Sequence, residues 1–227
     1  MCGILSLYII LQENIVEMKL YDLTASFPKN YQSEHIRLTE VPLQSAKTKY
    51  TGLIYDSELY SMNSSYIDLP GHIRETDDGV TAENAPIQDF YRVNCSLIRL
   101  HREDRSGAVT AQDLENAFGG KVTTPALMIN ALGKLEPGDI ECRSVYLDDS
   151  AVEWIISCGV RLLVSDIYES QALEGVFLKL FAAGVSTVCE PRRMIQVSDR
   201  EFYLSIIFMN MPYVTQIPCR ILAECNN

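Results

Sequence analysis

Beyond about residue 108 the chain falls into a β-α-β-α-β alternation, and no other feature restricts the fold as much. Thr110 and Asp113 have the spacing of a capping box opening a helix through Phe118, which Gly119 and Gly120 end. Residues 125–132 form an apolar run of strand length. Ser150 and Glu153 form a second capping signature, with Val152, Ile155 and Ile156 on one helical face and Gly159 as the stop. Residues 160–164 read as a buried strand. Leu173, Val176, Phe177, Leu180 and Phe181 then recur at i, i+3, i+4, i+7 and i+8, the clearest amphipathic helix in the chain. Gly184 ends that helix, and residues 185–189, 202–209 and 220–223 supply three more strands.

Residues 18–100 read differently. Segments 18–23, 52–55, 58–62 and 95–100 have the aromatic and β-branched content of short strands, whereas 28–34 and 75–84 read as polar surface loops. Strands, then the alternation, then strands again predict an α/β (α+β) fold with a mixed sheet. With 227 residues, 47% of them apolar and 22% charged, the chain can bury one sizeable core. We divide it into an N-terminal extension, residues 1–17, and a single domain, residues 18–227. Met18, opening the first strand, is an alternative start.

Thirty acidic against 19 basic residues give a net charge of −11, and no Lys/Arg-rich run offers a stripe for phosphate backbones, so no nucleic-acid partner is expected. The apolar run 2–11 is about half the ~20 residues a membrane span requires, and it lacks a preceding basic residue and a small-residue cleavage site. No membrane association is expected. The cysteines, Cys2, Cys95, Cys142, Cys158, Cys189, Cys219 and Cys225, are odd in number, spread out and never spaced as C-x-x-C. This argues against zinc ribbons and thioredoxin-like chemistry, and for reduced thiols in a cytoplasmic protein. The histidines, His35, His72 and His101, lie far apart, which makes a mainly imidazole metal site hard to build.

One segment stands apart: Ser61-Met62-Asn63-Ser64-Ser65-Tyr66-Ile67-Asp68-Leu69-Pro70-Gly71-His72. Small polar residues, a carboxylate, a proline and a histidine follow a predicted strand, where loops on a rigid sheet often hold sites. The segment resembles the signature S-H-x-G-T-H-x-D-x-P-x-H of the metal-dependent cyclase and kynurenine formamidase family, with Ser61, Asp68, Pro70 and His72 matching. Weaker likenesses at 18–23, 90–118, 135–139, 150–166 and 180–184 follow in the family's order. The resemblance implies a cyclase-like mixed β-sheet core with flanking helices, of the swivelling β/β/α type, and a homodimer or homotetramer.

The family binds a divalent metal through two histidines and the aspartate of the motif, with a later histidine and glutamate. Carried over by spacing, these positions are Met62, Tyr66, Asp68, Phe177 and Cys189, with Glu190 one residue beyond. A thioether and an unactivated phenol are poor ligands for Zn²⁺ or Mn²⁺. No metal and no cofactor are therefore expected, a remnant site of Asp68, His72 and Cys189 or Glu190 being the alternative. We expect an apolar-lined pocket formed by Met62, Asn63, Phe177, Cys189 and Glu190 for a small-molecule substrate.

By resemblance, His72 is the family's proton-shuttling histidine. Asp68 is expected to orient it or share its proton, and Ser64, Ser65 and Tyr66 offer hydroxyls beside it. Two functions follow. One is a metal-independent enzyme acting on a small amide, lactone or cyclisable biosynthetic intermediate by His/Asp acid-base chemistry. The other is a catalytically inactive cyclase-fold protein that binds a small molecule or partner subunit. Metal-dependent arylformamide hydrolysis is a third, disfavoured reading. Against all of these stand plainer roles: Asp68 in a turn bonding backbone amides, His72 as a loop residue, Cys189 as a buried inert thiol, and Asp166 as a structural carboxylate.

Overall fold

The computed structural model describes residues 18–102 and 104–226. Its main sheet has eight strands in the order β1 (Met18–Asp22), β12 (Gln216–Asn226), β11 (Glu201–Phe208), β5 (Val93–Arg99), β7 (Ala126–Asn130), β9 (Leu162–Ser165), β10 (Ser186–Cys189) and β4 (Tyr66–Asp68). β4 also pairs with β12, so the sheet closes into a barrel. β5, β7, β9 and β10 run parallel, β4 and β11 flank them antiparallel, and β12 pairs antiparallel with both β11 and β4, which makes the sheet mixed. Helices α2 (Ala111–Phe118), α3 (Asp149–Ser157) and α4 (Val176–Ala182) lie between or beside the parallel strands, as parallel crossovers require.

Strand periodicity divides the core in two. In β7, Ala126 and Met128 point into the barrel with Ile67, Val164, Val188, Leu204 and Ile221. Leu127 and Ile129 point outward to Leu114, Phe118, Trp154, Ile155, Leu180 and Phe181 of the helices. A parallel strand buried on both faces needs a near-continuous apolar run, and residues 125–129 supply it, with the buried Asn130 closing the strand. The Thr110–Asp113 capping box and the left-handed Gly119 cap of α2 are both present.

Four local expectations are corrected. Segment 58–62 is not a strand; Glu58 N donates to the His35 carbonyl, and Ser61–Asn63 is a single 3-10 turn. Segment 28–34 is not all loop, since a short helix α1 (Tyr31–His35) closes it. The α3 cap is Asp148, whose carboxylate accepts from Ala151 N, while the Ser150 hydroxyl supports it by donating to Asp148. The last helix begins at Val176 rather than Leu173; Leu173 and Gly175 have positive φ, and Leu173 is exposed. Segment 52–55 belongs to a longer strand, β3 (Lys49–Ser57), which forms a hairpin with β2 (Ile36–Gln44) apart from the main sheet. A small parallel pair, β6 (Gly107–Val109) with β8 (Val145–Leu147), completes the structure. The run 2–11 lies outside the described residues. No helix among the described residues is long and apolar enough to cross a membrane.

Candidate functional site

The motif residues occupy β4 and the turns on either side of it. In β4, Ile67 faces the barrel interior, so Tyr66 and Asp68 must face the other way. Thr187 and Cys189 of β10 lie opposite Asp68 and Tyr66 on one side, and Gln216 of β12 lies opposite Asp68 on the other. Strand register alone therefore brings together residues far apart in sequence. The 3-10 turn Pro70–His72 follows. Gly71 keeps that turn close to its neighbours, because a Cβ would stand 2.8 Å from Asp77 Oδ1 and 3.1 Å from a Thr215 methyl and would displace those side chains.

Gln216 is the central polar group, and nothing in the motif points to it. Its Nε2 donates to Asp68 Oδ1 (2.7 Å) and lies 3.1 Å from His72 Nε2. Its Oε1 accepts from the Ser61 hydroxyl. Both amide hydrogens and the carbonyl are thus engaged, and His72 Nε2 is the acceptor, leaving the neutral imidazole's proton on Nδ1. Asp68 is 3% exposed. Burial pushes its carboxyl up, against the opposing effects of Gln216, His72 and the Cys189 thiol, whose sulfur is 3.8 Å from Oδ2. Asp68 does not touch His72 directly, as direct orientation would require; Gln216 stands between them because the strand register places it there.

The proposed hydroxyls divide. Ser64 Oγ donates to the Ala25 carbonyl and Ser65 Oγ to the Glu190 carbonyl, each at 2.7 Å, and Ser65 Oγ also accepts from Ala25 N. Both serines are buried and tie the segment around residue 25 to the end of β10. Their protons are directed to backbone carbonyls, so neither is activated by His72 as a nucleophile requires. Tyr66 is half-buried, and burial with Cys189 and Asp68 alongside holds its phenol well above the usual range. Burial and the Asp68 charge likewise push the Cys189 thiol up. A protonated, 5% exposed thiol is a poor nucleophile.

Met62, Tyr66, Phe177, Cys189 and Glu190 line one cleft of about 490 Å³. Asn63 lines an adjoining hollow with Met62, Tyr66 and Glu190. One side of the cleft is aromatic: Tyr168 and Phe177 stack with centroids 4.9 Å apart, and the buried Phe181 packs 5.8 Å behind Phe177. Tyr168 is held by its hydroxyl, which donates to the Val188 carbonyl (2.9 Å). Arg192, paired with Glu190 at 2.7 Å, and Arg143 stand at the cleft edge. Neither Asp68 nor His72 is among the cleft's lining residues; His72 is exposed beyond Gln216. Asp166 also borders the cleft, but its carboxylate accepts from Ala131 N, Leu132 N and Asn130 Nδ2 and so anchors the turn after β7.

A divalent metal does not fit this donor set. The positions that the resemblance equates with ligands present a thioether, a phenol, a phenyl ring and a protonated thiol in the cleft, and of these only the Cys189 thiol reaches the Asp68 carboxylate. The remnant alternative is also not assembled, because Glu190 faces Arg192 and His72 Nε2 faces Gln216. Among the described residues no group of three His, Cys, Asp or Glu side chains is placed to hold a metal.

No protein-family model and no curated protein sequence matches the chain. Solved structures do. A potential metal-dependent hydrolase with cyclase activity shares 18% identity at a TM-score of 0.66, over 93% of this chain and 100% of its own. Isatin hydrolase A from Labrenzia aggregata, bound to benzyl benzoate, shares 14% at 0.69, over 98% and 100%. Isatin hydrolase A from Ralstonia solanacearum shares 14% at 0.70, over 100% and 98%. At such identities the likeness is one of fold: the chain has the fold of the metal-dependent hydrolases and cyclases, in a divergent form whose residues at the expected metal positions are of other kinds.

Proposed function

We propose that the protein binds a small planar molecule in the cleft and has no metal-bound hydroxide there. The observation that carries this reading is that Met62, Tyr66, Phe177 and Cys189, four positions that the family resemblance equates with ligands, line one cleft walled on one side by the Tyr168–Phe177 stack. Stacked rings favour a flat, largely apolar ligand. Arg143 and Arg192 at the edge suit a carbonyl or carboxylate on that ligand. The chemical class is a small aromatic amide, lactam or lactone, and isatin is a fitting first probe because three of the similar structures are isatin hydrolases, one of them bound to the product analogue thioisatinate.

A second reading, turnover of such a ligand with neutral His72 polarising its carbonyl by a hydrogen bond and transferring no proton itself, is favoured by the Asp68–Gln216–His72 chain. In it, His72 offers Nδ1–H as a donor, not Nε2 as a base.

Thermal-shift titration with isatin and thioisatinate, with product analysis of the same samples, tests both. Binding at about a hundred times Kd stabilises by about 2.7 kcal/mol. Phe177→Ala removes that stabilisation while leaving the unliganded protein folded. A ligand effect that survives Phe177→Ala contradicts the cleft assignment, and ring opening lost in His72→Ala supports the second reading.

A further inference from the structure

Glu169 belongs neither to the motif nor to the hydrogen bonds around Gln216, yet it lines the cleft. It lies in the loop between β9 and α4 and is 8% exposed. Two other carboxylates show what a settled acid receives in this part of the molecule. Asp166, three residues earlier, accepts from Ala131 N, Leu132 N and Asn130 Nδ2 at 2.9–3.1 Å, and Asp68 accepts a 2.7 Å bond from Gln216. Glu169 receives only one long bond, from Phe177 N to Oε1 at 3.4 Å. Its Oε2 is buried and has no partner among the described residues.

A buried carboxylate oxygen without a donor is destabilising, and Glu169 is not free to carry it out to water. Tyr168 O accepts from Leu147 N (2.9 Å), the Tyr168 hydroxyl is tied to the Val188 carbonyl (2.9 Å), and Ser170 Oγ accepts from Ala172 N (3.2 Å). The backbone on both sides of Glu169 is thus fixed. The soft coordinate is the terminal carboxylate rotation, which has a broad two-fold profile and lets Oε2 meet a group in the cleft.

We propose, on the basis of the cleft reading above, that Glu169 Oε2 accepts an N–H of the bound ligand and makes the cleft selective for an amide or lactam over the corresponding lactone. The polar groups are disposed for this. The acceptor Glu169 is buried, whereas the guanidinium groups of Arg143 and Arg192 stand at the more exposed margin. An amide or lactam carries a donor and an acceptor side by side and satisfies both ends, with its faces free to stack on Phe177. A lactone sets a ring oxygen against the carboxylate, two acceptors with no proton between them, and a site built to receive an N–H rejects the analogue that lacks it.

Oxindole and its lactone counterpart, in which oxygen replaces the ring nitrogen, differ only at the group in question. Thermal-shift titration of the full chain with each gives the wild type a preference for oxindole of about tenfold or more, as expected of a hydrogen bond to a charged group. Glu169→Met brings that ratio near one by loss of oxindole affinity, while Glu169→Gln, whose amide oxygen still accepts, keeps part of it. A second measurement needs no ligand: Glu169→Met raises the thermal midpoint of the unliganded protein, because it removes a buried carboxylate that has no full partner. A lowered midpoint marks a structural carboxylate and overturns the proposal. Equal binding of both compounds by the wild type, or a preference that survives Glu169→Met, overturns the N–H contact and leaves the cleft reading standing; a wild type that binds neither compound nor isatin overturns both.

Discussion

Gln216 bridges two residues of the motif, Asp68 and His72. Its amide fixes His72 as an acceptor at Nε2 and gives the buried Asp68 carboxylate a full hydrogen bond. Nitrogen-resolved NMR of neutral His72 should show the proton on Nδ1. In Gln216→Leu the proton should shift towards Nε2, and an underpartnered Asp68 should cost about 1–3 kcal/mol in denaturant unfolding. A second residue-scale test concerns Asp166, whose carboxyl burial pushes up to about 6 from an ordinary 3.8, the backbone amides around it only partly offsetting this. The folded state holds that proton more tightly than the unfolded chain. Its contribution is therefore complete below about pH 4 and is lost as pH rises through 6, by at most about 3 kcal/mol. Carboxyl NMR titration should place the midpoint near 6, and Asp166→Asn should flatten that part of the stability profile. Asp68 and His72 were legible from local spacing. Gln216 was not, because only the β4–β12 register brings residues 148 apart in sequence into contact.

Among the elements, the best-read ones carry a local signal strong enough to need no tertiary help. α2 has its capping box at one end and a left-handed glycine at the other. The cap of α3 lies two residues before Ser150 because the capping-box spacing Ser150–Glu153 favours the serine, while the backbone conformation makes Asp148, also a capping residue type, the cap. Asp148→Ala should cost about 1 kcal/mol in denaturant midpoint analysis, and Ser150→Ala less, since its hydroxyl acts on the α3 cap through Asp148. The hairpin was read only in part. Its faces alternate no clean apolar and polar sets, so residues 36–44, with Arg37, Glu40 and Pro42 interspersed, resemble no strand that a core would bury. An element whose apolar faces are both exposed escapes a reading built on burial. The same holds for β4, three residues long and set by its neighbours rather than by propensity.

At the scale of the whole molecule, barrel closure makes the site. β4 is the strand that joins β10 to β12, so the motif lies where the sheet closes, and the helix-side face of that junction opens into the cleft. The α/β order and the mixed sheet followed from the alternation of periodicities. The closure did not, because it depends on one short strand pairing on both edges. The central claim is that this junction borders a cleft with an aromatic wall and charged margins whose donors do not suit a divalent metal. Metal analysis after incubation with excess Zn²⁺ or Mn²⁺ and gel filtration tests it most directly. The account predicts far less than one ion per chain and a thermal midpoint unchanged by chelator; one tightly held ion per chain, lost together with Asp68 in Asp68→Ala, would contradict it.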